Sequence, residues 1–446
     1  MSLYSHLFYP AQFQEISDES QDLSRMLRFE AVLAAVQAHL GIIPQSAADM
    51  IQVCAKVDYL DIEKLKLDIR LGGNAAIPLV QQLTRIVKNN DVEASKYVHL
   101  GATSQDVIDT ATVLEIKEWM DKLDAMFSNL GSFLLKSIRK YESSVMIGRT
   151  LLQQAKPITF GLKLATYLEA LQRHQNRLDA LRIRVLCLQL SGAVGAGNSF
   201  ISEEVGRQMA KELGLNYVGS WQTNRDSIVE WSSFLANLTG FCGKIATDIS
   251  LLMQTEIAEV FEGAAAGKGG SSTMPHKRNP VTCASIISNA ARTPQLAATM
   301  LANMMQEHER SAGKWHAEWE TLKELHLLSV GALEKTIDLV ANLEVNTLQM
   351  AQNIELTKGL IYAENVSLAL SKSIGKLQAH ELVEKACKQA IKSGEHLRQV
   401  CEKMNMDGID LDALFSAENS IGNAKMMIQF IIEQYENALQ IRGNSQ

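Results

Sequence analysis

The sequence predicts an all-α protein, a bundle of long helices with smaller helical domains at its N- and C-terminal ends. Its 446 residues include only seven prolines, the last of which is Pro294, so long helices are permitted almost everywhere. Apolar residues recur with the helical period over stretches of about 25–35 residues, whereas the mean helix has about 11–12. Helices of that length are typical of bundles, and their apolar excess favours oligomer formation.

The apolar faces of the predicted helices, called stripes below, differ in length along the chain. In the first part, Ser24 is predicted to cap a helix whose stripe runs from Leu27 to Leu40, and Gly41 followed by Pro44 is predicted to end it. After residue 353 the stripes shorten again, so we expect domains at 1–110, 111–352 and 353–446. The long stripes between them cover approximately residues 111–142, 158–190, 226–260, 281–306 and 318–352.

Composition excludes several classes of protein. Lys and Arg total 43 against 50 Asp and Glu, a net charge of −7, so the surface offers no net attraction to nucleic-acid phosphates or anionic lipid. The N-terminus does not resemble a signal peptide, and no apolar run reaches about 18 residues. We therefore expect a cytoplasmic protein that binds neither nucleic acid nor membrane. An anionic substrate would require a local cationic pocket.

Cysteine and histidine usage gives no indication of a metal site. The six cysteines are scattered, with no CxxC pair and no clustered histidines, and we expect them to be reduced core residues.

Three segments rich in small polar residues interrupt the helical pattern, and the first spans His99–Thr110. Thr103, Ser104 and Gln105 lie just before a predicted helix, where hydroxyls and free N–H groups suit an anion. Taken alone, the segment is more simply explained as a helix N-cap.

The second segment spans Gly148–Gly161 and carries Arg149, Thr150 and Gln154 ahead of a long helix. These groups suit hydrogen bonding to a substrate. By itself, the segment is more simply explained as an ordinary loop leading into a helix.

The third segment, GAAAGKGGSSTMPHKRNP at 263–280, gives the strongest local signal. It is longer than most connections between helices, and it combines four glycines with Ser271, Ser272, Lys277, Arg278 and Asn279. Such a loop predicts a lid over an anionic ligand, with residues 263–278 mobile when the site is empty. The alternative is a flexible linker.

Together, GSSTMPHKRNP (270–280), HLGATSQD (99–106) and the GRT loop (148–150) resemble the signature loops of the fumarase/aspartase superfamily. Three motifs in the right order over nearly the whole chain are far more specific than one. The stretch QEHERSAGKWHAEWETL (306–322) narrows the resemblance to a lactonising branch, which adds a carboxylate of a small unsaturated tricarboxylate across a double bond of the same molecule.

The resemblance implies a homotetramer whose active sites combine loops from three chains, and it implies no metal or organic cofactor. It also implies roles for residues. Ser271 matches the serine that moves a carbon-bound proton, and His99 matches a histidine that some relatives use near the leaving group; a loop histidine bonded to backbone is the alternative. Substrate-binding roles are implied for Thr103, Ser104, Gln105, Lys277 and Asn279, and Arg149, Thr150 and Gln154 join them as candidates from the GRT loop.

Departures from the family pattern narrow the chemistry. Where several members carry a histidine, this chain has Leu151 and Gln154, and near Ala284 it lacks the glutamate that supports that histidine. A carboxylate leaving group, with a conjugate-acid pKa near ~4, needs no proton, so the absent acid/base pair fits lactonisation. The alternatives are a fumarate-releasing lyase of the adenylosuccinate or argininosuccinate type and a non-catalytic helical scaffold.

Two further candidates lie in the 306–322 stretch. Arg310 suits a carboxylate of the substrate, and His316 is a second candidate for substrate binding. An ion pair of Arg310 with Glu318 or Glu320 is equally compatible with the sequence.

Overall fold

The computed structural model describes residues 3–265, 267–270, 273–274, 276–406 and 408–443. Within these residues the chain is mainly helical, which confirms the predicted all-α class. In chain order, the helices and strands are α1 Ser5–Phe8, α2 Glu19–His39, α3 Gln45–Cys54, α4 Ile62–Gly72, α5 Ala76–Asn90, α6 Ser104–Tyr141, β1 Val145–Thr150, β2 Gln153–Thr159, α7 Phe160–Val185, α8 Glu203–Leu213, α9 Asp226–Leu252, β3 Val260–Phe261, α10 Val281–Ala302, α11 Lys314–Ala341, β4 Glu344–Val345, α12 Thr347–Ile354, α13 Ala363–Ile374, α14 Lys376–Ser393, α15 Leu397–Lys403, α16 Leu411–Leu414 and α17 Ala424–Gly443.

The five predicted long stripes correspond to α6, α7, α9, α10 and α11, which contain 38, 26, 27, 22 and 28 residues. The last stripe was expected to continue to residue 352. Instead α11 ends at Ala341, and α12 begins a separate helix at Thr347. Between them, β4 pairs with β3.

The chain divides into two compact units. Unit 1 comprises Met1–Met126, His174–Gly243 and Ser285–Glu334, and unit 2 comprises Phe127–Arg173, Lys244–Ala284 and Lys335–Gln446. The domain boundaries at 110 and 352 stay a prediction.

In unit 1, α2 lies in a core shared with α3, α5 and α8. Its buried stripe includes Leu27, Phe29 and Leu33. The predicted N-cap was wrong, because Asp18 caps α2 by accepting from the N–H of Gln21 at 2.8 Å. Ser24 lies inside the helix. The predicted end is confirmed by Gly41, which adopts the left-handed φ of 71° just after the helix.

In unit 2, the second polar segment forms a hairpin rather than a simple loop. β1 and β2 pair in antiparallel fashion, and a two-residue turn joins them at Leu151 and Leu152. Both residues have left-handed φ angles, 49° and 66°. A two-residue hairpin turn of type I′ requires positive φ at both positions. The C-terminal helices α13–α15 form a separate apolar cluster in this unit.

All six cysteines are free, and five of them are buried; Cys387 is partly exposed. Within the described part of the chain, no helix combines the length and apolar character needed to cross a bilayer.

Candidate active site

The predicted site residues fall into two groups, one in each unit. Unit 1 holds His99, Thr103, Ser104, Gln105, Arg310 and His316, whereas unit 2 holds Arg149, Thr150, Gln154, Lys277 and Asn279. Ser271 and Ser272 lie outside the described residues, so the serine assignment and the predicted mobility of 263–278 stay predictions.

At the start of α6, Arg310 joins two of the predicted residues. Its Nη2 donates to Thr103 Oγ1 at 3.0 Å, and its Nε donates to Gln105 Oε1 at 3.1 Å. The same Nη2 also reaches the carbonyl of Ala193 at 3.3 Å. All three acceptors are neutral, and Arg310 has no ion pair among the described residues. The alternative of a pair with Glu318 or Glu320 is therefore not what the structure shows, and the charge of Arg310 remains available to an anion.

Gln105 is itself held in place by hydrogen bonds. Its side chain is fully buried, and its Nε2 donates to Asp109 at 3.1 Å and to the carbonyl of Gln222 at 2.8 Å. Because both ends of the amide are engaged, Gln105 orients Arg310. The Ser104 hydroxyl has no hydrogen-bond partner within the described chain. It lies half-buried at the first position of α6, where free N–H groups favour an anion.

Asp109, which accepts from Gln105, belongs to a buried network of charged residues. Arg225 donates to Asp109 at 2.8 Å and to Glu318 at 2.5 Å, with all three side chains at most 5% exposed. The indole N–H of Trp315 donates to Asp109 at 3.0 Å. Asp109 lies on α6, Glu318 and Trp315 lie on α11, and Arg225 immediately precedes α9, so the network connects these helices and positions the start of α6.

Asp106 anchors the loop that precedes α6. It accepts from the backbone N–H groups of Thr103, Ser191 and Gly192 at 2.9–3.0 Å, and from Gln189 at 3.3 Å. Burial raises the pKa of Asp106 to about 6, against the lowering effect of these hydrogen bonds. The sequence predicted that a hydroxyl of this segment would cap α6, but the Thr103 side chain is used differently. Asp106 satisfies the N–H of Thr103, while the Thr103 hydroxyl receives Arg310.

His99 lies on the same loop with a left-handed φ of 59°. Its Nδ1 is 2.7 Å from Oε1 of Glu30 on α2. Glu30 is a functional candidate that the motif analysis missed. A signal was present, since a glutamate three residues after Leu27 and three before Leu33 lies within the buried stripe.

Within the described residues, His316 makes no hydrogen bond or ion pair with this cluster. It is exposed near the start of α11 and packs against the rings of Trp315 and Trp319, with ring centroids 5.4 and 4.7 Å away. Its proposed contact with substrate stays a prediction.

In unit 2, Arg149 and Gln154 are cross-strand partners in the β1–β2 hairpin. Arg149 forms a bidentate pair with the fully buried Glu259, at 2.7 and 3.0 Å. Asn353 donates to the same carboxylate at 2.8 Å. The charge of Arg149 is therefore balanced within the unit. Thr150 is exposed beside the turn.

Gln154 donates from Nε2 to the carbonyl of Asn353 at 3.0 Å, which fixes its orientation. Its buried Oε1 has no partner in the described part of the chain. A neutral amide thus occupies the hairpin position at which several members of the resembled superfamily carry a histidine.

The end of the signature loop lies beside β3 and leads into the first residues of α10, in the same unit. The Asn279 N–H donates to the carbonyl of Gly269 at 2.9 Å, and Arg278 pairs with Glu344 at 2.9 Å. Glu262 accepts from the N–H groups of Thr282 and Cys283 at 3.1 and 2.7 Å, so it fixes the start of α10. Lys277 is exposed and has no ion pair with a described residue.

No cluster of three or more His, Cys, Asp or Glu side chains among the described residues is arranged to hold a metal ion.

Comparison with known proteins places these residues in a family. A lyase family profile matches residues 9–294, and an adenylosuccinate lyase C-terminus profile matches 359–430. The 3-carboxy-cis,cis-muconate cycloisomerase of Acinetobacter baylyi is 45% identical, with 97% of this chain and 98% of that protein covered. Its namesake from Pseudomonas aeruginosa is 42% identical, with 97% and 96% covered. The crystal structure of the 3-carboxy-cis,cis-muconate lactonizing enzyme from Pseudomonas putida superposes with a TM-score of 0.92 at 40% identity, covering 98% of this chain and 99% of that one.

Proposed function

The chain belongs to this lyase family of enzymes, and from that premise we propose that it is a cycloisomerase which converts 3-carboxy-cis,cis-muconate to 4-carboxymuconolactone. Such a step belongs to the protocatechuate branch of aromatic degradation, the β-ketoadipate pathway. Relatives of that name are 42–45% identical over nearly the full length. The substrate is a small tricarboxylate, which the cationic and hydrogen-bonding groups at the start of α6 suit.

The observation that carries this choice within the family is Gln154. A fumarate-releasing lyase expels an amine and benefits from a titrating group that protonates it, whereas Gln154 is a neutral amide held by Asn353. In lactonisation the attacking group is a carboxylate of the substrate itself. Its oxygen bonds to an alkene carbon, and the electron pair moves through the neighbouring carbon into another carboxylate as an enolate. A proton is then added to that carbon.

The residues divide this work as follows. Arg310, held by Thr103 and Gln105, binds a carboxylate through a charge with no competing ion pair within the described chain. Ser104, Lys277 and Asn279 supply further donors to the substrate. Ser271 delivers the proton to carbon. Holding the two reacting groups of one molecule in contact supplies up to ~7–11 kcal/mol of the barrier.

We infer that the enzyme is a homotetramer whose active sites combine loops from different chains. Apolar surface supports assembly: Leu151 and Leu152 at the hairpin turn are 98% and 77% exposed, and Met426, Met427 and Phe430 are exposed on α17. Light scattering should give four times the chain mass for the active species. An active monomer would contradict the inference.

The function is tested by incubating the purified protein with 3-carboxy-cis,cis-muconate and following lactone formation by NMR. Parallel incubations with adenylosuccinate and argininosuccinate follow fumarate release. We expect lactone from the first and no fumarate from the other two. Fumarate without lactone would replace the proposal with the lyase alternative, and inactivity on all three would leave the scaffold alternative.

A further inference from the structure

Helix α2 carries two polar side chains inside its buried stripe. Glu30 and Gln37 are seven residues apart, or about two turns, so they project from the same face, and both are buried. Gln37 donates from Nε2 to the carbonyls of Leu100 and Phe200, at 2.9 Å each. α2 therefore holds the backbone beside His99 with one side chain and the ring of His99 with the other.

The contact between Glu30 and His99 leaves two polar atoms unused. The Glu30 side chain has no exposed surface, and its Oε2 has no hydrogen-bond partner in the described part of the chain. The His99 side chain retains 19% exposure, and its Nε2 has no partner among the described residues. A buried carboxylate is costly unless a cation accompanies it, and the imidazolium form of His99 supplies that cation.

The backbone conformation orients the imidazole ring of His99. His99 adopts a left-handed φ that few residues other than glycine adopt. Gly101 also has a positive φ, and a Cβ there would come within 2.8 Å of Asn198 and Phe200. Asn198 in turn donates to the carbonyl of Gly101 at 2.8 Å. These contacts fix the loop around His99. His99 precedes Thr103, the threonine that accepts from Arg310, by four residues.

We propose that Glu30 is a positioning residue that keeps His99 doubly protonated, so that its Nε2–H donates to a carboxylate of the substrate. This inference rests on the tricarboxylate substrate proposed above. His99 then serves as a second cation in addition to Arg310. In the neutral form with a proton on Nδ1 alone, Nε2 would be an acceptor and would repel a carboxylate.

The sign of the pH dependence follows from the groups that face the ring, Glu30 on α2 and Asp106 on α6. Burial alone would lower the pKa of His99, but the charge and hydrogen bond of Glu30, with the charge of Asp106, outweigh it and raise the pKa above 6.5. The second cation is therefore present below this raised pKa and is lost as pH rises through it. Removing the charge of Glu30 should lower the pKa of His99.

The test compares wild type with Glu30→Gln, which keeps the shape of the side chain and removes its charge. The pKa of His99 is measured in the full-length protein by NMR of 13Cε1-labelled histidine, with His99→Gln identifying the resonance. The affinity for tricarballylate, an unreactive tricarboxylate, is measured by calorimetry from pH 5.5 to 8. We expect Glu30→Gln to weaken affinity near pH 7.5, by at most about tenfold because an ordinary histidine is about one-tenth protonated there, and to weaken it less at pH 5.5, where such a histidine is mostly protonated.

Gln37→Ala is the matched control, because Gln37 holds the same loop without touching the ring. It should weaken affinity by the same factor at every pH and leave the pKa of His99 in place. If Glu30→Gln behaves in that way, the proposal is overturned and Glu30 is only a loop anchor. Should Glu30→Gln fail to fold, Glu30→Asp retains the charge and should keep the raised pKa. If wild type does not bind tricarballylate although Glu30→Gln lowers the pKa of His99, the proposed substrate is wrong and the positioning role stands.

Discussion

Arg310 in unit 1 and Arg149 in unit 2 were predicted from sequence to bind the same anionic substrate, yet their surroundings differ. Arg310 is held by a hydroxyl, an amide oxygen and a carbonyl, all neutral. Arg149 is held by the buried carboxylate of Glu259 in a bidentate pair. Neutral acceptors orient a guanidinium and leave its charge for a ligand, whereas a carboxylate consumes the charge. An arginine at a candidate site can therefore either bind a ligand or neutralise a buried carboxylate.

The largest expected effect is on stability, from Arg149→Met. Removing this cation leaves Glu259 buried and unpaired, which should lower the free energy of unfolding by about 3–5 kcal/mol, measured by urea denaturation. In Arg149→Met/Glu259→Met, which removes both charges, much of this loss should be restored. Unchanged stability with a KM raised more than about tenfold would instead assign Arg149 to the substrate.

Arg310→Met should reverse this pattern. Loss of a charged hydrogen-bond donor to a carboxylate costs about 1.5–3 kcal/mol, or roughly 10- to 150-fold in kcat/KM. The free energy of unfolding should fall by about 1–3 kcal/mol, less than for Arg149→Met, because the buried amide oxygen of Gln105 loses its donor but no buried carboxylate loses its cation. Arg184→Met, which breaks an exposed pair with Glu230, is the control and should change neither quantity appreciably. A large loss of stability in Arg310→Met would remove the contrast between the two arginines.

The smallest expected effect is from Gln154→His, which places a titrating group on the hairpin beside Arg149. Since lactonisation delivers no proton to oxygen, kcat for 3-carboxy-cis,cis-muconate should not rise at any pH. Steady-state rates between pH 6 and 8 test this. A faster variant would show that a titrating group is useful at this position, and the argument from Gln154 would fail.

The long helices could be predicted from sequence because apolar residues recur with the helical period, which is a local property of the chain. The five long helices followed from apolar spacing, and the end of α2 followed from Gly41 and Pro44. Helix starts were less certain, since Asp18 and Ser24 are both suitable caps and only packing selects between them. The hairpin was missed because its turn is formed by Leu151 and Leu152. Asparagine and glycine usually signal such a turn, and neither is present there.

The sequence motifs predicted candidate site residues but not the contacts between them. Thr103 and Gln105 were identified from local sequence, and Arg310 from a distinctive stretch about 200 residues later. Their contact depends on tertiary structure. The pairing of Arg149 with Glu259, separated by 110 residues, has no local signal at all. Glu30 did have one, as a carboxylate within an apolar stripe.

The central claim is that a carbon-bound proton is moved by Ser271 and that no group on the hairpin has to titrate. Steady-state kcat of Ser271→Ala and Gln154→Ala with 3-carboxy-cis,cis-muconate tests it most directly, with circular dichroism confirming that both variants fold. Ser271→Ala should lower kcat by at least ~10²-fold, as expected for a positioned acid or base. Gln154→Ala should cost roughly 1–3 kcal/mol, partly in KM. A near-normal kcat for Ser271→Ala, or a larger loss of kcat for Gln154→Ala, would contradict the account.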